Sequence, residues 1–68
     1  MPFKITLQAA RVNAGLTLEQ AAQALGINVK TLHNWEHGKT EPRASQLATI
    51  SEKYGIPADY IFLPSVSR

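Results

Sequence analysis

Between Thr17 and Gly38 the sequence spells a helix start and a helix stop twice over, with only about three residues to turn between them. Thr17 can accept from the amide of Gln20 while the Gln20 side chain reaches back to the amide of Thr17, the reciprocal arrangement of a capping box. From Leu18 to Leu25 the residues are good helix formers, and Ala21, Ala22 and Leu25 fall at the three-and-four spacing of one apolar face. Gly26 can take the left-handed conformation that ends a helix, and Ile27 can fold back over the end it leaves. Asn28 then caps a second helix over 29–37, with Gly38 as terminator. Two helices joined by Gly26, Ile27 and Asn28 must cross at a steep angle.

A helical wheel divides this second helix by chemistry. Thr31, Leu32, Trp35 and Glu36 gather on one arc, and Leu32 and Trp35 must face the core. Val29, Lys30, His33, Asn34 and His37 occupy the other, presenting a cation, an amide, two imidazoles and a small apolar surface. Such groups can read base edges or hold phosphates in a major groove. The bland alternative, an ordinary solvated helix face, would carry more glutamate and lysine.

With 68 residues the chain is one domain, expected over 1–63 with a tail at 64–68. Its core is expected around Leu16, Leu25, Leu32, Trp35, Leu47 and Ile50. Cysteine is absent, so neither disulfides nor thiolate metal sites can staple the fold, which fits the cytosol. No apolar run approaches the ~20 residues that span a bilayer, and the N-terminus lacks the pattern of a secretion signal. A cytoplasmic protein with no membrane association is expected. Seven Lys and Arg against five Asp and Glu give a net charge of +2, too mild to identify a nucleic-acid binder by itself. Placement says more, because Lys30, Lys39 and Arg43 lie in or just after the second helix, although Glu41 interrupts them.

The same signals predict a first helix over 7–14, capped by Thr6 and closed by Gly15, with Leu7, Ala10, Arg11 and Ala14 on one side. A fourth should run over 44–54 with Leu47, Ile50 and Tyr54 inward and Gly55 at its end. A last short helix over 58–62 should lay Ile61, with Tyr60 or Phe62, on the core. The expected fold is all-α, a compact bundle of five short helices without a sheet.

Arg11, Gly15-Leu16-Thr17, Ala22, Leu25-Gly26-Ile27, Thr31-Leu32, Trp35-Glu36, Gly38-Lys39, Pro42, Leu47, Ile50, Gly55-Ile56, Asp59 and Ile61 together resemble the phage repressor and Cro type of helix-turn-helix domain, the XRE family. The resemblance implies a lambda-repressor-like fold whose helix 29–37 lies in the major groove. It implies that Asn28, Val29, Lys30, His33 and Asn34 read bases. Lys30 could donate to guanine, Asn34 could pair with adenine, and Val29 could pack on a thymine methyl. Thr17, Lys39, Thr40 and Arg43 would hold phosphates and set register. Arg11 and Glu36 match an arginine-glutamate pair that braces the recognition helix. The implied partner is double-stranded DNA, a palindromic operator bound by a homodimer, and the implied role is transcriptional repression without any cofactor. Two positions depart from the family pattern. Leu18 stands where a phosphate-binding glutamine is usual, leaving an exposed leucine, and Ala21 stands where a larger aliphatic residue is usual.

Other readings of these residues are weaker. His33 and His37 are four apart, the spacing that can grip a metal with Glu36 or Glu41 as a third ligand, yet two imidazoles without a committed carboxylate or thiolate make a poor site. Trp35 could stack on a base, but it lies opposite Lys30 on the wheel. Ser45, Thr49 and Ser51 near Glu52 bring together no base, nucleophile and oxyanion group, so no enzyme is expected. A different class remains open: a small protein-interaction module, an antitoxin or anti-repressor partner, using Leu18, Val66 and the surface of Tyr60, Phe62 and Leu63.

Overall fold

A computed structural model describes residues 4–62 as four α-helices and one short 3₁₀ turn. The helices are α1 (Leu7–Asn13), α2 (Leu18–Leu25), α3 (Val29–Glu36) and α4 (Ala44–Tyr54). The expected fifth helix is instead a 3₁₀ turn, Ala58–Tyr60, followed by an extended pair, β2 (Ile61–Phe62). β2 runs parallel to β1 (Ile5–Thr6), with Ile5 opposite Ile61 and Thr6 opposite Phe62, so a minimal ladder replaces the expected absence of any sheet. The physical reason lies in Pro57 and in the β-branched Ile61. Proline starts a turn but prevents α-helix from running in from Gly55, and the β-branched Ile61 favours the extended conformation in which it is buried at 4% exposure. Leu63 and the expected tail at 64–68 lie outside the described residues.

Local chemistry sets each helix boundary. Thr6 Oγ1 accepts from the Ala9 amide at 3.0 Å and starts α1. Thr17 and Gln20 form the capping box of α2, with bonds of 2.9 and 3.1 Å. At the start of α4 only half of such a box can exist, because an arginine side chain accepts nothing: Gln46 Oε1 accepts from the Arg43 amide at 2.8 Å. At the end of α2, Gly26 adopts φ of 71°, and the amides of Gly26 and Ile27 donate to the carbonyls of Gln23 and Ala22. This is the glycine-terminated closure that satisfies the last carbonyls of a helix. Gly38 and Lys39 close α3 in the same way onto Trp35 and Asn34.

The core comprises Leu7, Ala10, Ala21, Ala22, Leu32, Trp35, Ile50, Tyr54 and Ile61. Leu16, Leu25 and Leu47, expected inside, are half-buried at its margin. Ala21 and Ala22 are fully covered, so their small side chains bring α2 close against its neighbours. Leu18 is a correction: it is half-buried and packs on the core rather than standing in solvent. The first position of α2 lies close enough to the bundle that a branched apolar side chain folds inward.

Candidate nucleic-acid interface

Burial of Leu32 and Trp35 fixes the rotation of α3, and rotation decides which side chains meet solvent. Lys30, His33 and His37 are exposed, Val29 is 37% exposed, and Asn34 is half-buried where α3 turns toward the following loop. The expected readers therefore form a strip running from Asn28 to His33, with Asn34 recessed at its edge. Asn28 also has a local duty. Its Oδ1 accepts from the Lys30 amide at 2.7 Å, which leaves the side-chain NH₂ as the group it can offer outward.

His37, the residue after α3, turns its ring onto the helix it follows. Its Nδ1 lies 2.9 Å from the His33 carbonyl, and the two rings stack with centroids 4.0 Å apart. A carbonyl can only accept, so this bond requires Nδ1 to carry the proton and turns Nε2 outward.

The candidate phosphate-holding residues lie at helix starts and in the turn after α3. Thr17 is exposed at the start of α2, but its amide and its acceptor are both committed to Gln20, so only its hydroxyl hydrogen is left to donate. Lys39, Thr40 and Arg43 are exposed along the turn. The amide of Lys39 donates to the Asn34 carbonyl at 2.9 Å, which ties this turn to the recognition helix, and Pro42 is buried beneath it. Glu41 is exposed among these cations.

Behind the strip, Arg11 of α1 meets Glu36 of α3. Arg11 Nε donates to Glu36 Oε2 at 2.8 Å, and the side chains are 11% and 2% exposed. Arg11 Nη1 also donates to the Leu16 carbonyl at 2.9 Å, so a single guanidinium links α1, the turn before α2 and the end of α3. Sequence reasoning did not anticipate the third member of this buried group. Tyr54 of α4 places its hydroxyl among these charges with no hydrogen-bond partner among the described residues, and burial, then the charge of Glu36, push its pKa up to about 12 against an opposing effect of Arg11. The available signal was its position four residues beyond Ile50 on the inward stripe, where a phenol extends past the apolar core.

A strip of hydrogen-bonding side chains on a helix set by a tight glycine turn defines a helix-turn-helix domain. The family model for the helix-turn-helix matches residues 7–61, and the chain belongs to that family, in its phage repressor and Cro (XRE) branch. It is 34% identical over 55 residues to the HTH-type transcriptional regulator ImmR of Bacillus subtilis (strain 168). That match takes in 81% of this chain but 43% of ImmR, so the chain spans less than half the length of this relative. No solved structure gives a significant match. Among the described residues no helix is long and apolar enough to cross a membrane.

Proposed function

We propose that this chain is a sequence-specific, DNA-binding transcriptional regulator of the cytoplasm, a repressor that lays α3 in the major groove. The observation that carries the reading is the two-sided character of α3: Leu32 and Trp35 are buried while Val29, Lys30 and His33 are presented outward beside Asn28. Asn28, Val29, Lys30, His33 and Asn34 read base edges, and Lys39, Thr40, Arg43 and the Thr17 hydroxyl hold phosphates. The inward packing of Leu18 supports the free amides at the start of α2 as the phosphate contact there, in place of a glutamine side chain. It also removes one apolar group from the protein-interaction alternative. Similarity to a transcriptional regulator supports the same direction. A homodimer on a palindromic operator, with half-sites about 34 Å apart, completes the proposal.

Selection from randomised duplexes tests it, followed by affinity measurements across a salt series. A palindromic site should emerge, and the two phosphate-holding cations per protomer, Lys39 and Arg43, predict a log K against log salt slope of about −2 per protomer. Recovery of no preferred sequence, with binding insensitive to salt, would defeat it.

A further inference from the structure

On the side of α3 away from the exposed strip, a pocket of about 190 Å³ opens between three helices. Leu25, Gly26 and Ile27 of the turn form one wall, Trp35 another, and Gln46, Thr49 and Ile50 of α4 the third. The volume suits one aromatic ring with a small substituent, since drug-sized sites run from about 300 Å³ upward and a cavity of about 150 Å³ accepts benzene. Among the described residues no charged side chain lines it, which disfavours an ionised occupant.

Hydrogen bonds already made decide what the two polar liners can still offer. Gln46 Oε1 is occupied by the Arg43 amide at 2.8 Å, so Gln46 has its NH₂ left to donate. The Thr49 hydroxyl donates to the Ser45 carbonyl at 3.2 Å, so its oxygen has lone pairs left to accept. Apolar walls from Leu25, Ile27, Trp35 and Ile50 thus stand beside one donor and one acceptor. A side-chain Cβ built on Gly26 would touch nothing within 4 Å, so the turn leaves its side of the pocket open.

We propose that this pocket is a binding site for a small, neutral, monocyclic aromatic molecule bearing an acceptor and a donor side by side, as in a primary carboxamide. The acceptor meets the Gln46 NH₂ and the donor meets the Thr49 oxygen, while the ring packs on Trp35. The site does not depend on DNA, and its occupancy has its own reporter because Trp35 is the chain's one tryptophan.

The test titrates benzamide into the full chain and follows Trp35 emission, with toluene as the apolar control. About nine non-hydrogen atoms at roughly 0.3–0.5 kcal/mol each place the expected Kd in the low millimolar range. Thr49→Val removes the acceptor at constant shape, and Gln46→Glu keeps the oxygen that caps α4 while removing the donor. Each should weaken benzamide roughly 3–10-fold and leave toluene unchanged, with circular dichroism verifying that the variants fold. A flat titration to ~50 mM, several times the weakest expected Kd of about 10 mM, overturns the proposal. So do equal effects of the variants on benzamide and toluene. An emission that shifts on concentrating the protein without any probe would assign the pocket to a second copy of the chain, and also overturns it.

Discussion

Replacing Arg11 with methionine removes a cation that three parts of the fold share, and the structure sets the scale of the loss. Glu36 is 2% exposed and takes its charge-assisted bond from Arg11 Nε at 2.8 Å, so Arg11→Met strands a carboxylate out of reach of water. Breaking a buried pair from one side costs about 3–5 kcal/mol. The reverse change, Glu36→Leu, should cost less, about 2 kcal/mol, because Arg11 is 11% exposed and still donates to the Leu16 carbonyl. Stability of a chain this size is of order 3–10 kcal/mol, so Arg11→Met alone should bring the domain close to unfolding. The double variant substitutes apolar groups for both charges and should be more stable than Arg11→Met, giving a coupling of at least about 2 kcal/mol. Urea unfolding followed by Trp35 emission and by helical dichroism measures all four corners of the cycle. Because the pair is buried, the coupling should persist in molar salt. Single losses that add to the double within about 0.5 kcal/mol would refute the reasoning.

Tyr54→Phe forfeits no hydrogen bond among the described residues, and it removes a group whose pKa is raised from 10.0 to about 12. A raised pKa contributes stability that is whole below pH 10 and lost as pH climbs through 12, about 2–3 kcal/mol in all; the wild type should therefore lose that much more than the phenylalanine variant over this window, and parallel pH-stability curves would contradict it. Lys39→Ala should weaken binding to all duplexes alike and flatten the salt slope by about 1, whereas Lys30→Ala and Asn34→Ala should relax preference at particular base pairs by about 1–3 kcal/mol; equal losses on random and selected duplexes would remove the distinction between phosphate holders and base readers. Leu18→Gln exchanges a half-buried packing residue for a polar one and should lower stability by about 1–2 kcal/mol, read as a lower urea midpoint. A midpoint equal to wild type would show that Leu18 contributes no packing.

The capping and stop chemistry of α2, α3 and α4 was legible because it is local: Thr17 with Gln20, Asn28, Gly26, Gly38 and Gly55 act within a few bonds of where they stand. The inward stripe of Leu32 and Trp35 was legible because helical periodicity is itself a property of the sequence. Most candidate readers followed from that stripe by subtraction. Asn34 did not, being recessed by the turn packed beside it.

The amino-acid sequence by itself determined where the helices begin and end, which face of α3 turns outward, and the family to which the chain belongs. Tertiary structure alone decided the rest. It turned Leu18 inward, drew Ile61 out of a helix into a ladder with Ile5, and brought the Tyr54 hydroxyl under the Arg11 and Glu36 pair. Each of these depends on which distant side chains compete for the same core volume or share the same dry charge, and such contacts join residues far apart along the chain, where neither propensity nor period carries information.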